Sequence, residues 1–301
     1  MISNLSKKHH YLPRYYLKGF TNNEGGFYVY DKKEDNIFPT SPGNSFFENY
    51  LNTIELSSGK RSDFLEKIHS HLENDSWDSF DNIRYSNRSK PINLIDKMNL
   101  YLFLHFLHWR LPSNFEHLQI ISEDILEENS EHNYFEIVDK DGNPASNDDI
   151  EKIGESINWE KISQTIVPLS PFFKGKNWIN NIERWRFVYT GDSNSWYIVG
   201  DNPIVSQGAW DHDPMRCLEE FIFPVSGNML LISLDREICD PLSPGFTVQF
   251  GIAIIERARR FVACHNKEFL NSLIDLHETY LSLCQQDNII SELFNMASRN
   301  E

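Results

Sequence analysis

The firmest pattern in the chain is an apolar stretch from Ile92 to Leu111. Ile95, Met98, Leu102, His105, Phe106 and Trp109 recur at helical spacing, and Leu94, Tyr101, Leu104 and Leu107 widen the stripe until little polar face remains. This predicts a buried helix near the centre of the fold. It closes at Leu111-Pro112, because the residue before a proline is pushed out of the α region. Phe64, Leu65, Ile68 and Leu72 predict another helix from Ser62 to about Trp77. A further amphipathic helix is expected from about Asn114 to Glu128, and an exposed insertion or hinge near 139–150, where Lys140-Asp141-Gly142-Asn143-Pro144 carries turn chemistry.

The later third changes to strand patterns. Arg186 to Thr190 and Trp196 to Val199 flank a Gly191-Asp192-Ser193-Asn194 turn and predict a hairpin. Phe221 to Val225 and Met229 to Ser233 predict a second, around Ser226-Gly227-Asn228, and Phe27 to Tyr30 with Asn36 to Phe38 a third near the start. Phe246 to Ala258 and Lys267 to Leu283 read as helices around a strand at Arg260 to Cys264. The expected class is α+β: one domain over 1–301, in which a helical middle segment packs on a small, mainly antiparallel sheet formed largely by the later third.

Composition narrows the function classes. With 28 Lys and Arg against 44 Asp and Glu over 301 residues, the formal net charge is −16, which removes any general attraction to duplex DNA or an anionic membrane. No apolar run reaches 18 residues and the start lacks an apolar leader, so a cytoplasmic protein without a membrane span is expected. Cys217, Cys239, Cys264 and Cys284 form no Cys-x-x-Cys pair and read as buried free thiols. Walker, Rossmann, His-Glu-x-x-His and Gly-x-Ser-x-Gly signatures do not occur.

Candidate chemistry gathers in three places. His9 to Phe20 packs imidazoles, phenols and cations into a dozen residues: His10 is a candidate acid or base, and Arg14, Tyr16 and Lys18 are candidate substrate contacts. The alternative there is an aromatic segment docking on the core. Gly200-Asp201-Asn202-Pro203 follows an apolar strand, so Asp201 and Asn202 either orient a substrate or cation, or merely shape an Asx-type turn. Arg110 ends the long helix and needs an anionic or carbonyl partner, and His105 and His108 on the same helix read as core residues before ligands.

His10-x-x-Pro13-x-x-Tyr16-Leu17-x-x-Phe20, Arg110-x-Pro112, Asp201-Asn202-Pro203 and Phe223-Pro224-Val225-Ser226 together resemble the largely bacterial family called domain of unknown function 4238. Gly200 and Gly227 stand where that pattern carries serine and proline. The resemblance implies no reaction, but it couples distant segments, so His10, Arg110, Asp201 and Asn202 are expected to converge on one polar site. Two functions follow. One is a hydrolase, acting on a phosphodiester as a nuclease would, with His10 as acid or base, Arg110 stabilising charge and Asp201 orienting His10 or holding Mg²⁺ or Mn²⁺. The other is a non-catalytic sensor of a small anion, or an interaction module. Single-stranded nucleic acid is a candidate partner through Lys7, Lys8, Arg14 and Lys18.

Overall fold

The computed structural model describes residues 7–55, 61–86, 91–115, 117–118, 159–169, 178–190, 196–207, 218–239, 242–283 and 288–298. The helix expected at 114–128, the hinge near 139–150, Cys217 and Cys284 lie outside them, entirely or for the most part. In chain order the elements are β1 (Lys8–His10), α1 (Arg14–Leu17), β2 (Phe27–Asp31), β3 (Asn36–Thr40), β4 (Phe47–Asn49), β5 (Ile54–Glu55), β6 (Arg61–Ser62), α2 (Phe64–Arg84) and α3 (Leu94–Arg110). After them come α4 (Trp159–Ile166), α5 (Trp178–Glu183), β7 (Arg186–Tyr189), β8 (Val199–Gly200), β9 (Val205–Ser206), β10 (Phe221–Ser226) and β11 (Met229–Ser233). The chain then adds α6 (Pro244–Arg257), β12 (Phe261–Cys264), α7 (Lys267–Ser282) and α8 (Ile289–Ala297). Among the described residues, no helix is long and apolar enough to cross a membrane.

The fold is α+β, with two four-stranded antiparallel sheets in the orders β7-β11-β10-β9 and β3-β2-β12-β8. The central hairpin of the first sheet is buried on both faces, and this explains its unbroken apolar runs. Phe221, Phe223, Val225, Met229 and Leu231 pack into a core shared with the N-terminal segment, α2 and α3. Their alternate neighbours Ile222, Leu230 and Ile232 pack into a second core with α6, α7 and α8. The strand period of two therefore feeds two different cores. Pro224, which has no N–H to donate, is tolerated because β9 pairs only with Phe221 and Ile222, and the β10–β11 register shifts between Pro224 and Ser226.

Two expectations are corrected. Arg186–Tyr189 and Val199–Gly200 do not form a hairpin: β7 pairs with β11 while β8 pairs with β12, so the chain leaves one sheet for the other between them. As expected, the two four-stranded sheets are drawn mostly from the later part of the chain, and β2 and β3 join the second of them from near the start. The long helix is buried from Leu100 onward, but its first turn is not, with Leu94 54% and Ile95 68% exposed. Helix α2 also runs on to Arg84, past the turn where its apolar stripe thins.

The extra length of α2 positions the N-terminus. Arg84 donates to the carbonyls of Tyr15, Tyr16 and Val225 at 2.7–3.2 Å, joining α1 to β10. Gly19 sits against that guanidinium, where a Cβ would lie 2.5 Å from Nη2. Tyr16 is fully buried, stacks on Phe223 at 5.2 Å and donates its hydroxyl to the Pro224 carbonyl at 2.8 Å. It is a core residue and not the substrate contact that its neighbours suggested.

Candidate functional site

Asp201 follows β8 on a strand held close to α6. Gly200 permits that approach, because a Cβ there would meet Ile254 Cγ2 at 3.1 Å and Ala258 Cβ at 3.3 Å. The Asp201 carboxylate accepts the backbone amides of Arg259 at 2.7 Å, Arg260 at 2.8 Å and Phe261 at 2.9 Å, and its own amide donates to the Phe261 carbonyl. Burial pushes this carboxyl above its ordinary range, and the three amides oppose the shift.

The same turn is held from the other side. The Asp31 carboxylate accepts from Nε and Nη2 of Arg260 at 2.7–3.1 Å, which holds its carboxyl below the usual range. Lys32 donates its ammonium to the carbonyls of Ile255, in the last turn of α6, and Ala258, its C-cap, while its amide donates to the Arg260 carbonyl. The Arg260 guanidinium lies 4.7 Å over the Phe261 ring. Three consecutive residues, Arg259 to Phe261, are thus fixed by groups drawn from β2 and the Asp201 loop.

A cleft of about 430 Å³ opens beside this turn, lined by Tyr11, Lys33, Phe47, Glu48, Pro112, Ser113, Asp201, Arg259, Arg260 and Phe261. The N-terminal segment, the end of α3 and the Asp201 loop meet here. The residues facing the cleft, however, are the neighbours of those singled out in the sequence: Tyr11 in place of His10, and Pro112 with Ser113 in place of Arg110. Lys33 and Arg259 are exposed, and their side chains make no hydrogen bond or ion pair among the described residues. Beneath the cleft, Phe46 is buried edge-on to both Tyr11 and Phe261, at 6.2 and 6.1 Å, and takes a left-handed φ of 53°. The Tyr11 amide donates to the Phe46 carbonyl at 3.1 Å, which ties this turn to the N-terminal segment.

His10 and Asp201 share no hydrogen-bond partner. His10 lies against Phe47, its Nε2 is buried with no hydrogen-bond partner among the described residues, and burial, with Arg14 and then Arg110 nearby, lowers its pKa to about 4 despite the backbone of Gly43 and Pro42. Arg110 is buried and already engaged: Nη1 pairs with Glu73 at 2.8 Å and Nη2 donates to the His10 carbonyl. Arg14 is exposed over Gly43, and Lys18 lies 4.7 Å over Trp77. Asn202 is half-buried beside Asp201. His105 and His108 are fully buried in α3, where His105 packs edge-on to Tyr101 and the Asn114 side chain donates to the His108 carbonyl.

Sequence reasoning missed Arg259, Arg260 and Lys33. A signal was present: Arg257-Ala258-Arg259-Arg260 is a basic cluster directly before an apolar strand, in a chain of net charge −16. A second cleft, of about 440 Å³ along β7, also holds arginines, but there Asp235 pairs with Arg184 at 2.6 Å and Gln207 accepts from Arg236 at 3.0 Å.

A family model described as Protein of unknown function (DUF4238) matches residues 8–268 of the chain. No curated protein and no solved structure matches it.

Proposed function

Because the chain belongs to the DUF4238 family, whose description assigns no reaction, we propose a function from the cleft itself: it binds a small anion and does not turn it over. The observation that carries this reading is the uncommitted charge of Arg259 and Lys33 beside a fixed Arg260. Asp201 serves as a positioning residue, because its carboxylate holds the backbone on which both arginines stand. Preorganising donors in this way lowers the ordering cost of binding.

Hydrolysis is less well supported. A general acid or base needs its partner within hydrogen-bond reach, and the Asp201 carboxylate is occupied by three amides while Arg110 is occupied by Glu73 and a carbonyl. The negative whole argues against duplex DNA and anionic membranes as partners.

Calorimetric titration with pyrophosphate at low salt tests the reading, with Arg259→Ala as the comparison. Saturable binding that weakens in the variant and with added salt is expected. Equal binding by both proteins, or none, would remove the cleft as an anion site. Turnover of RNA, DNA or nucleotides with Mg²⁺ or Mn²⁺ would restore the hydrolase.

A further inference from the structure

The cleft offers more than a bare inorganic anion would use. Its walls join cations to aromatic rings, those of Tyr11, Phe47 and Phe261, and it carries an exposed carboxylate, Glu48. Inorganic phosphate or pyrophosphate would meet the cations but would use neither the rings nor Glu48. A ligand that combines an anion, an aromatic plane and hydrogen-bond donors would use all three. At about 430 Å³ the cleft falls within the range of small-molecule sites, roughly 300–1,000 Å³.

We infer that the ligand is a nucleoside monophosphate, an inference that rests on the anion-binding reading above. Arg259 and Lys33 meet the phosphate. Arg260 joins them through Nη1, which makes no hydrogen bond among the described residues while Nε and Nη2 are held by Asp31. The base lies against the aromatic wall, where Phe47 is half-exposed and Lys8 sits 4.5 Å over its ring. Glu48 accepts from the ribose hydroxyls or an exocyclic amine, the use of an acidic side chain seen where proteins hold ribose. Glu48 can take this role because it lines the same cleft as Phe47, Lys33 and Arg259. Size favours a free nucleotide over a strand of nucleic acid, and so does the charge of −16 around it.

The test is calorimetry with adenosine monophosphate and ribose 5-phosphate, which share phosphate and sugar and differ in the base. Stacking of one base corresponds to a gain of roughly tenfold or more. Adenosine monophosphate is expected to bind about tenfold more tightly, and Phe47→Leu to remove that margin while leaving ribose 5-phosphate unchanged. Arg259→Ala, a change at an exposed side chain, is expected to weaken both ligands alike. Equal affinity for the two ligands would overturn the nucleotide assignment and leave anion binding in place. No binding of either would overturn both. A 5′-phosphorylated tetra-adenylate that bound more tightly than the monophosphate would overturn the choice of a free nucleotide.

Discussion

The carboxylate of Asp201 accepts the backbone amide of Arg260 at 2.8 Å, while the guanidinium of the same arginine is held by Asp31. One acidic group fixes the main chain of Arg260 and another fixes its side chain.

Asp201→Asn replaces one of two acceptor oxygens by a donor that faces backbone N–H groups. At least one buried amide loses its partner, at a cost of about 1–3 kcal/mol. Chemical denaturation is expected to show that loss, and pyrophosphate titration a weaker site, because Arg259 and Arg260 are no longer held in place.

The two arginines are expected to separate in their effects. Arg259→Ala leaves the melting temperature unchanged and reduces anion affinity, since its side chain is exposed and unpaired among the described residues. Arg260→Ala leaves the buried Asp31 carboxylate with the Lys33 amide but without its guanidinium partner, which is half-exposed, and lowers stability by about 1 kcal/mol as well. Equal melting temperatures for the two variants would contradict the pairing with Asp31.

Stability is expected to fall below neutral pH. Burial lowers the pKa of His10 to about 4 and of His105 to about 3, and pushes His69 and His108 down as well. Unfolded histidine titrates near 6.5. Between that value and about 4 the unfolded chain binds more protons than the native one, so stability rises with pH across the window and is lost as pH drops through it. Urea midpoints at pH 7.5, 6.5 and 5.5 should decline in that order. A flat profile would contradict the burial of these imidazoles.

Tyr16→Phe removes one hydrogen bond to the Pro224 carbonyl and keeps the ring, for a loss of about 1 kcal/mol. Tyr16→Ala also empties a core position and is expected to cost about 3–5 kcal/mol, by analogy with other buried aromatic truncations. Ligand affinity measured on folded Tyr16→Phe should match the parent, because the ring faces Phe223 and Phe20 within the core.

Much of the fold was legible where local pattern and tertiary packing agree. The helix ending at Arg110 and the hairpin around Ser226-Gly227-Asn228 follow from apolar periodicity and turn residues. The false hairpin of Arg186–Val199 arose because each segment reads as a strand, while the partner of each is chosen by distant residues: β11 for one and β12 for the other. The candidate site was legible as a meeting of segments. Its facing residues were not: a one-residue step at the end of a strand reverses the side chain, so His10 turns to Phe47 and Tyr11 lines the cleft, while Arg110 ends a helix and turns to Glu73, leaving Pro112 and Ser113 beyond it to line the cleft. Arg259 and Arg260 matter through their neighbours Asp201 and Asp31, which lie about 60 and 230 positions away in sequence, beyond the reach of any local motif.

Tyr16 bonds to Pro224 across 208 positions, and the Gly227 amide bonds to the Gly19 carbonyl. For a chain synthesised from its N-terminus, the aromatic segment from Tyr11 to Phe20 has no native partner on β10 until that strand has emerged. This long-range closure delays the packing of that segment until late in synthesis and leaves a run of aromatic rings without their β10 partner in the nascent chain. A truncation ending before Phe221 keeps those rings and loses the strand they pack on, so it should be held by chaperones or aggregate where the full chain folds.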